Sequence, residues 1–146
     1  MIDLSKFAES LSALMQEKNL NAPALAKAIN TDRSNITRYL RGERLPKFEI
    51  FVALLQFFNV SAEVLLGFRE FDDVSNFLPL PPFGERLQEV MAETKTTQYR
   101  IEKMEKISGN SMYQWLYNQT LPSVYNLVKL AKHMDVSVDY LLGRIR

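Results

Sequence analysis

Arg33, Ser34, Asn35, Thr37 and Arg38 place two guanidinium groups, two hydroxyls and an amide within about two turns, if that stretch is helical. Such groups suit base edges, since a guanidinium pairs with guanine and a carboxamide with adenine. Arg41, Arg44 and Lys47 follow, and cations just past a helix suit phosphate oxygens. From Lys27 to Lys47, the positive residues Lys27, Arg33, Arg38, Arg41, Arg44 and Lys47 meet only Asp32 and Glu43. That local excess of six minus two, +4, sits in a chain whose net charge is +1. A solvated polar face accounts for any one of these arginines, whereas the cluster points to a polyanion.

Other chemistry is poorly supplied. There is no cysteine, and His133 is the single histidine, set in the apolar stretch LAKHMDV and read as a packing residue. No zinc site and no Cys–His pair can be assembled from these. Asp72-Asp73 reads as a solubilising pair, and no Gly-rich phosphate loop is present. The expectation is no catalytic residue, no metal, no cofactor and no enzymatic activity. No apolar run approaches the roughly 18 residues of a membrane span, and MIDLSKFAES lacks the pattern of a signal peptide. A soluble cytoplasmic protein is expected.

The elements that must hold the basic cluster are helical. Apolar residues recur three and four apart: Phe7, Leu11, Leu14 and Met15, then Leu25, Ala28 and Ile29, then Ile36, Tyr39 and Leu40, then Ile50, Leu54, Phe57 and Phe58, with Val64 and Leu65 last. Asn21, Asp32 and Ser61 are expected N-caps, with Pro23 in a first turn and Gly42 as a left-handed helix end. No strand pattern appears.

The chain also repeats itself without a gap at an offset of 76, as Phe7/Phe83, Leu11/Leu87, Met15/Met91, Leu40/Leu116, Leu45-Pro46/Leu121-Pro122 and Leu65-Leu66-Gly67/Leu141-Leu142-Gly143 show. The matches fall on apolar positions, as expected when a core persists and a surface diverges. In the second copy Thr97, Ser108, Ser123 and Ser137 mark helix starts, and Asn118 takes the slot of Gly42. The organisation expected is a first domain over 1–67, a Pro-containing linker over 68–82 and a second domain over 83–146.

Residues 21–46, NAPALAKAINTDRSNITRYLRGERLP, set a short helix, a three-residue connection (Asn30-Thr31-Asp32) and a second short helix before a Gly-containing turn. That is helix-turn-helix geometry. The sequence resembles the lambda-repressor/Cro family of helix-turn-helix domains, of the xenobiotic-response-element type, in Leu25-Ala26, Ile36, Gly42 and Pro46. The resemblance implies an all-α chain of two five-helix DNA-binding domains in tandem, acting as a repressor-like transcriptional regulator. It implies that the helix from Arg33 enters the major groove of double-stranded DNA. Arg33, Ser34, Asn35, Thr37 and Arg38 then reach bases, and Arg41, Arg44 and Lys47 reach phosphates.

The second copy departs from the pattern. Gln98 stands where the family often places a phosphate-contacting Gln, but Ala26 becomes Glu102 and Gly109 opens the reading helix. That helix offers Asn110, Ser111, Tyr113 and Gln114 and no charge, so it would release few counterions. Either it contacts a second half-site, or this copy is a dimerisation or protein-partner module, for which Tyr113, Tyr117 and Tyr125 are suited. A protein-interaction module with little DNA binding is the alternative for the whole chain. In FREFDDVSNFLPLPP, residues 68–82, the prolines stiffen an extended segment. It is long enough, at up to about 50 Å, to bridge half-sites about 34 Å apart. Phe68, Phe71 and Phe77 argue instead that the linker is ordered against the units.

Overall fold

A computed structural model describes residues 2–72 and 76–146; Asp73 of the acidic pair lies outside them. The described residues are all-α, with ten helices and no strand, and they divide into two compact units, residues 1–76 and 77–146. None of these helices is long and apolar enough to cross a membrane.

The first unit comprises α1 (Leu4–Glu17), α2 (Ala22–Ala28), α3 (Arg33–Leu40), α4 (Phe48–Phe58) and α5 (Ala62–Leu65). The apolar stripes converge on one core in which Phe7, Leu11, Leu25, Ile36, Phe51, Leu54, Leu55 and Leu65 are fully buried. The rings of Phe7 on α1 and Tyr39 on α3 meet edge-on at 6.2 Å, seating α3 on α1. Caps fix the helix starts. Asn21 Oδ1 accepts from the Ala24 N–H at 3.0 Å, and Ser61 Oγ from the Val64 N–H at 3.1 Å. Asp3, not anticipated as a cap, accepts from the Ser5 hydroxyl and from the Ser5 and Lys6 N–H groups. The Ser5 hydroxyl bond first, then the two backbone bonds, hold its carboxyl below the usual range. This cap therefore weakens as pH falls through that lowered pKa. Asp32 occupies the N-cap position of α3, but contrary to expectation its side chain makes no capping bond.

The second unit comprises α6 (Phe83–Glu93), α7 (Gln98–Glu105), α8 (Gly109–Tyr117), α9 (Val124–His133) and α10 (Val138–Leu142). The starts of α2 to α5, at 22, 33, 48 and 62, are followed 76 residues later by starts at 98, 109, 124 and 138. Thr97, Ser108, Ser123 and Ser137 each cap the helix that follows. The turn after α8 overturns one expectation. Asn118 is not left-handed (φ −115°); Gln119 is (φ 61°), whereas in the first unit Gly42 holds that conformation (φ 68°). Helix α8 runs to Tyr117 where α3 stops at Leu40, so the reversal moves on by one residue.

Two features of this unit escape local pattern. Gly84 lies in α6 where α8 crosses, and a Cβ there would fall 2.7 Å from the Trp115 carbonyl oxygen and 2.9 Å from that of Leu116. Backbone cannot yield cheaply, so Gly84→Ala is expected to lose about 1–3 kcal/mol despite its better helix propensity. Urea unfolding followed through Trp115, the only tryptophan, checks this. Secondly, three charged side chains are buried: Arg86, Asp139 and Arg144. Arg144 Nη1 donates to Asp139 Oδ1 at 2.5 Å. Arg86 Nε and Nη2 donate to the Tyr140 carbonyl at 3.1 and 2.8 Å, and its guanidinium lies 4.7 Å from the Tyr140 ring centroid.

The segment read as a linker is shared between the units. Asp72 Oδ2 accepts from the Ser61 N–H at 2.9 Å, at the start of α5. On the other side the Leu78 N–H donates to the Arg144 carbonyl at 2.8 Å, and the Phe77 ring centroid lies 4.0 Å from the Arg144 guanidinium. Phe77 packs, as an ordered segment requires, but Phe71 does not and is 80% exposed. His133, read as a packing residue, is half-buried and polar in its contact: Nδ1 lies 3.0 Å from Glu105 Oε2.

Candidate nucleic-acid interface

Helix α3 owes its place to one face and its chemistry to the other. Ile36 and Tyr39 are buried, while Arg33, Ser34 and Arg38 are exposed, with Arg41 at the C-cap. Ser34 and Arg38, four residues apart, share a face. Arg33 and Arg38 make no ion pair among the described residues, and Arg41 has only a long contact to Glu43 at 3.8 Å. This leaves fixed positive charge on the outer face. Left-handed Gly42 then turns the chain, with its N–H bonded to the Tyr39 carbonyl, and brings Arg44 and Lys47, both exposed, alongside the helix.

The other two residues expected to face bases are engaged within the protein. Thr37 is half-buried, and its hydroxyl donates to the Arg33 carbonyl at 3.2 Å. Asn35 is half-buried on the flank of α3, where Nδ2 donates to Thr31 Oγ1 at 3.0 Å and Oδ1 accepts from Arg44 Nη2. The adenine-reading geometry expected of Asn35 needs both ends of the amide, and each end already holds a partner within the protein. Tyr39 lies beneath. Burial raises its phenol pKa, against the opposing charge of Arg44.

In the second unit Gln98 begins α7 and Gly109 begins α8. A Cβ on Gly109 would lie 3.1 Å from Glu102 Oε1, so the Glu102 carboxylate sits against the first turn of α8. There it complements the positive end of the helix dipole. Two departures noted in the sequence are thus one arrangement: a larger acid on α7 and a missing side chain on α8. Asn110 is exposed. The Ser111 N–H is held by Ser108 Oγ at 3.0 Å, and Gln114 Oε1 accepts from Asn118 Nδ2 at 3.1 Å. Tyr113 and Tyr117 are 51% and 58% exposed, with ring centroids 5.2 Å apart. This outer face is aromatic and neutral where that of α3 is cationic.

No curated protein and no solved structure matches the chain. Residues 11–65, from within α1 to the end of α5, match the family model described as helix-turn-helix.

Proposed function

We propose that the chain is a sequence-specific, double-stranded DNA-binding transcriptional regulator of repressor type, not an enzyme. In this reading both units are lambda-repressor-like domains in tandem, and the protein works in the cytoplasm. Helix α3 lies in the major groove with Arg33, Ser34 and Arg38 at base edges, and Arg41, Arg44 and Lys47 hold the flanking phosphates. The observation that carries the reading is the unpaired cationic outer face of α3, within a segment that matches the helix-turn-helix model. Selection of binding sites from random duplex DNA tests it. A recovered sequence motif supports the reading, and failure to enrich any duplex overturns it.

Three phosphate contacts imply a slope of log K against log salt of roughly −2.7 per bound chain. Anisotropy titrations of the selected duplex at several salt concentrations measure that slope, and a value near zero would contradict the phosphate assignments.

For the second unit, protein interaction is the reading favoured over DNA. The observations behind it are the Glu102 carboxylate at the first turn of α8 and the exposed Tyr113–Tyr117 pair. A carboxylate placed there would repel an approaching phosphate. Selected sites with a single half-site support this division of roles, and two half-sites at fixed spacing would assign DNA contact to both units.

A further inference from the structure

Asn35, Thr31 and Arg44 form a relay across three successive elements: the turn before α3, its first turn, and the loop after it. We infer that Asn35 is a positioning residue, which holds the Arg44 guanidinium ready for a DNA phosphate and does not itself read a base. The inference rests on the DNA-binding reading of the first unit.

Three observations support it. The Asn35 amide is engaged at both ends, with one Nδ2 hydrogen on Thr31 Oγ1 and Oδ1 on Arg44 Nη2, so an adenine would have to share the amide with these partners or displace them. A guanidinium carries five N–H donors, and a single bond from Nη2 leaves an edge for bidentate phosphate contact. An arginine on an exposed loop otherwise loses its freedom on binding, and holding it beforehand lowers that cost. The second unit offers the contrast. The positions matching Thr31, Asn35 and Arg44 there are Ile107, Ser111 and Thr120, so all three members of the relay are absent together. Ser111 instead bonds to Ser108. Relay and cationic face thus occur in the same unit.

The test uses the full chain and the duplex selected from random DNA, with affinity measured by fluorescence anisotropy at several salt concentrations. Circular dichroism checks that each variant is folded. Arg44→Ala is expected to weaken binding about tenfold and to reduce the salt slope by about 0.9. Asn35→Ala is expected to weaken it about three- to tenfold, equally on the selected site and on its single-base-pair variants. In the Arg44→Ala background, Asn35→Ala should have under about twofold effect, since the group it positions is gone. Thr31→Val, which removes only the far end of the relay, should weaken binding in the same direction by a smaller factor. Three results overturn the inference: an Asn35→Ala loss confined to one base pair, a loss that persists in full without Arg44, or unchanged binding for Thr31→Val. If the folded wild-type chain binds no duplex, the DNA reading falls, and the inference with it.

Discussion

Arg33→Ala with Arg38→Ala is expected to lower affinity for the selected duplex by roughly 30-fold to 10⁴-fold. It should also flatten the preference for that sequence, because a good bidentate base contact gives about 1–3 kcal/mol of discrimination. The loss would not be a folding effect. Arg33 is the first residue of α3, where a cation opposes the helix dipole, and Asp32 before it makes no capping bond. A charge so placed typically costs a helix about 0.3–1 kcal/mol, so its removal should leave the unit as stable or slightly more so. The second unit shows the electrostatically relaxed alternative, with no side chain at Gly109 and the Glu102 carboxylate beside it. A cation retained where folding disfavours it is the pattern of a binding residue. Anisotropy on the selected duplex and on scrambled DNA, with thermal melts of both proteins, checks this. Unchanged affinity for every duplex would remove α3 as the reading helix.

What the sequence revealed and concealed divides by range. Helix starts were legible because a cap acts over two or three residues, as with Asn21 to Ala24, Ser123 to Asn126 and Ser137 to Tyr140. Asp32 had the right type and position, but position alone does not set the rotamer that makes the bond. Asn118 followed the Gly42 alignment, yet one further residue of helix shifted the left-handed conformation to Gln119. The basic face was visible as composition. The engagement of Asn35 was not, because its partner lies nine residues on, past a reversal that only the fold positions. Arg86 and Arg144 are hardest to foresee. Arginine is ordinarily exposed, and the Tyr140 carbonyl that accepts from Arg86 is 54 residues away in sequence. Glu102 with Gly109 lies between these cases. Each was visible as an oddity, and only their proximity makes them a pair.

Asp139→Ala should have the largest effect on stability, about 3–5 kcal/mol, confined to the second unit. The Asp139 and Arg144 side chains are 3% and 2% exposed, and their bond is 2.5 Å long. Removing the carboxylate strands a guanidinium that folding has already taken out of water, and that penalty outweighs the loss of the bond itself. A double variant, Asp139→Ala with Arg144→Met, should recover much of the loss, because neither charge of the pair is then left buried without the other. Arg144 also stacks on Phe77, and its backbone oxygen receives the Leu78 N–H, so recovery should fall short of wild type. Trp115 is buried in this unit and is the sole tryptophan, so its fluorescence in a urea titration reports this unit without contribution from the first. A shift in midpoint equivalent to under about 1 kcal/mol would show that the pair acts like an exposed one. The same variant bears on function. If DNA reading resides in α3, duplex affinity of Asp139→Ala measured where the first unit remains folded should stay near that of wild type, whereas a loss parallel to the Trp115 transition would place an essential contact in the second unit.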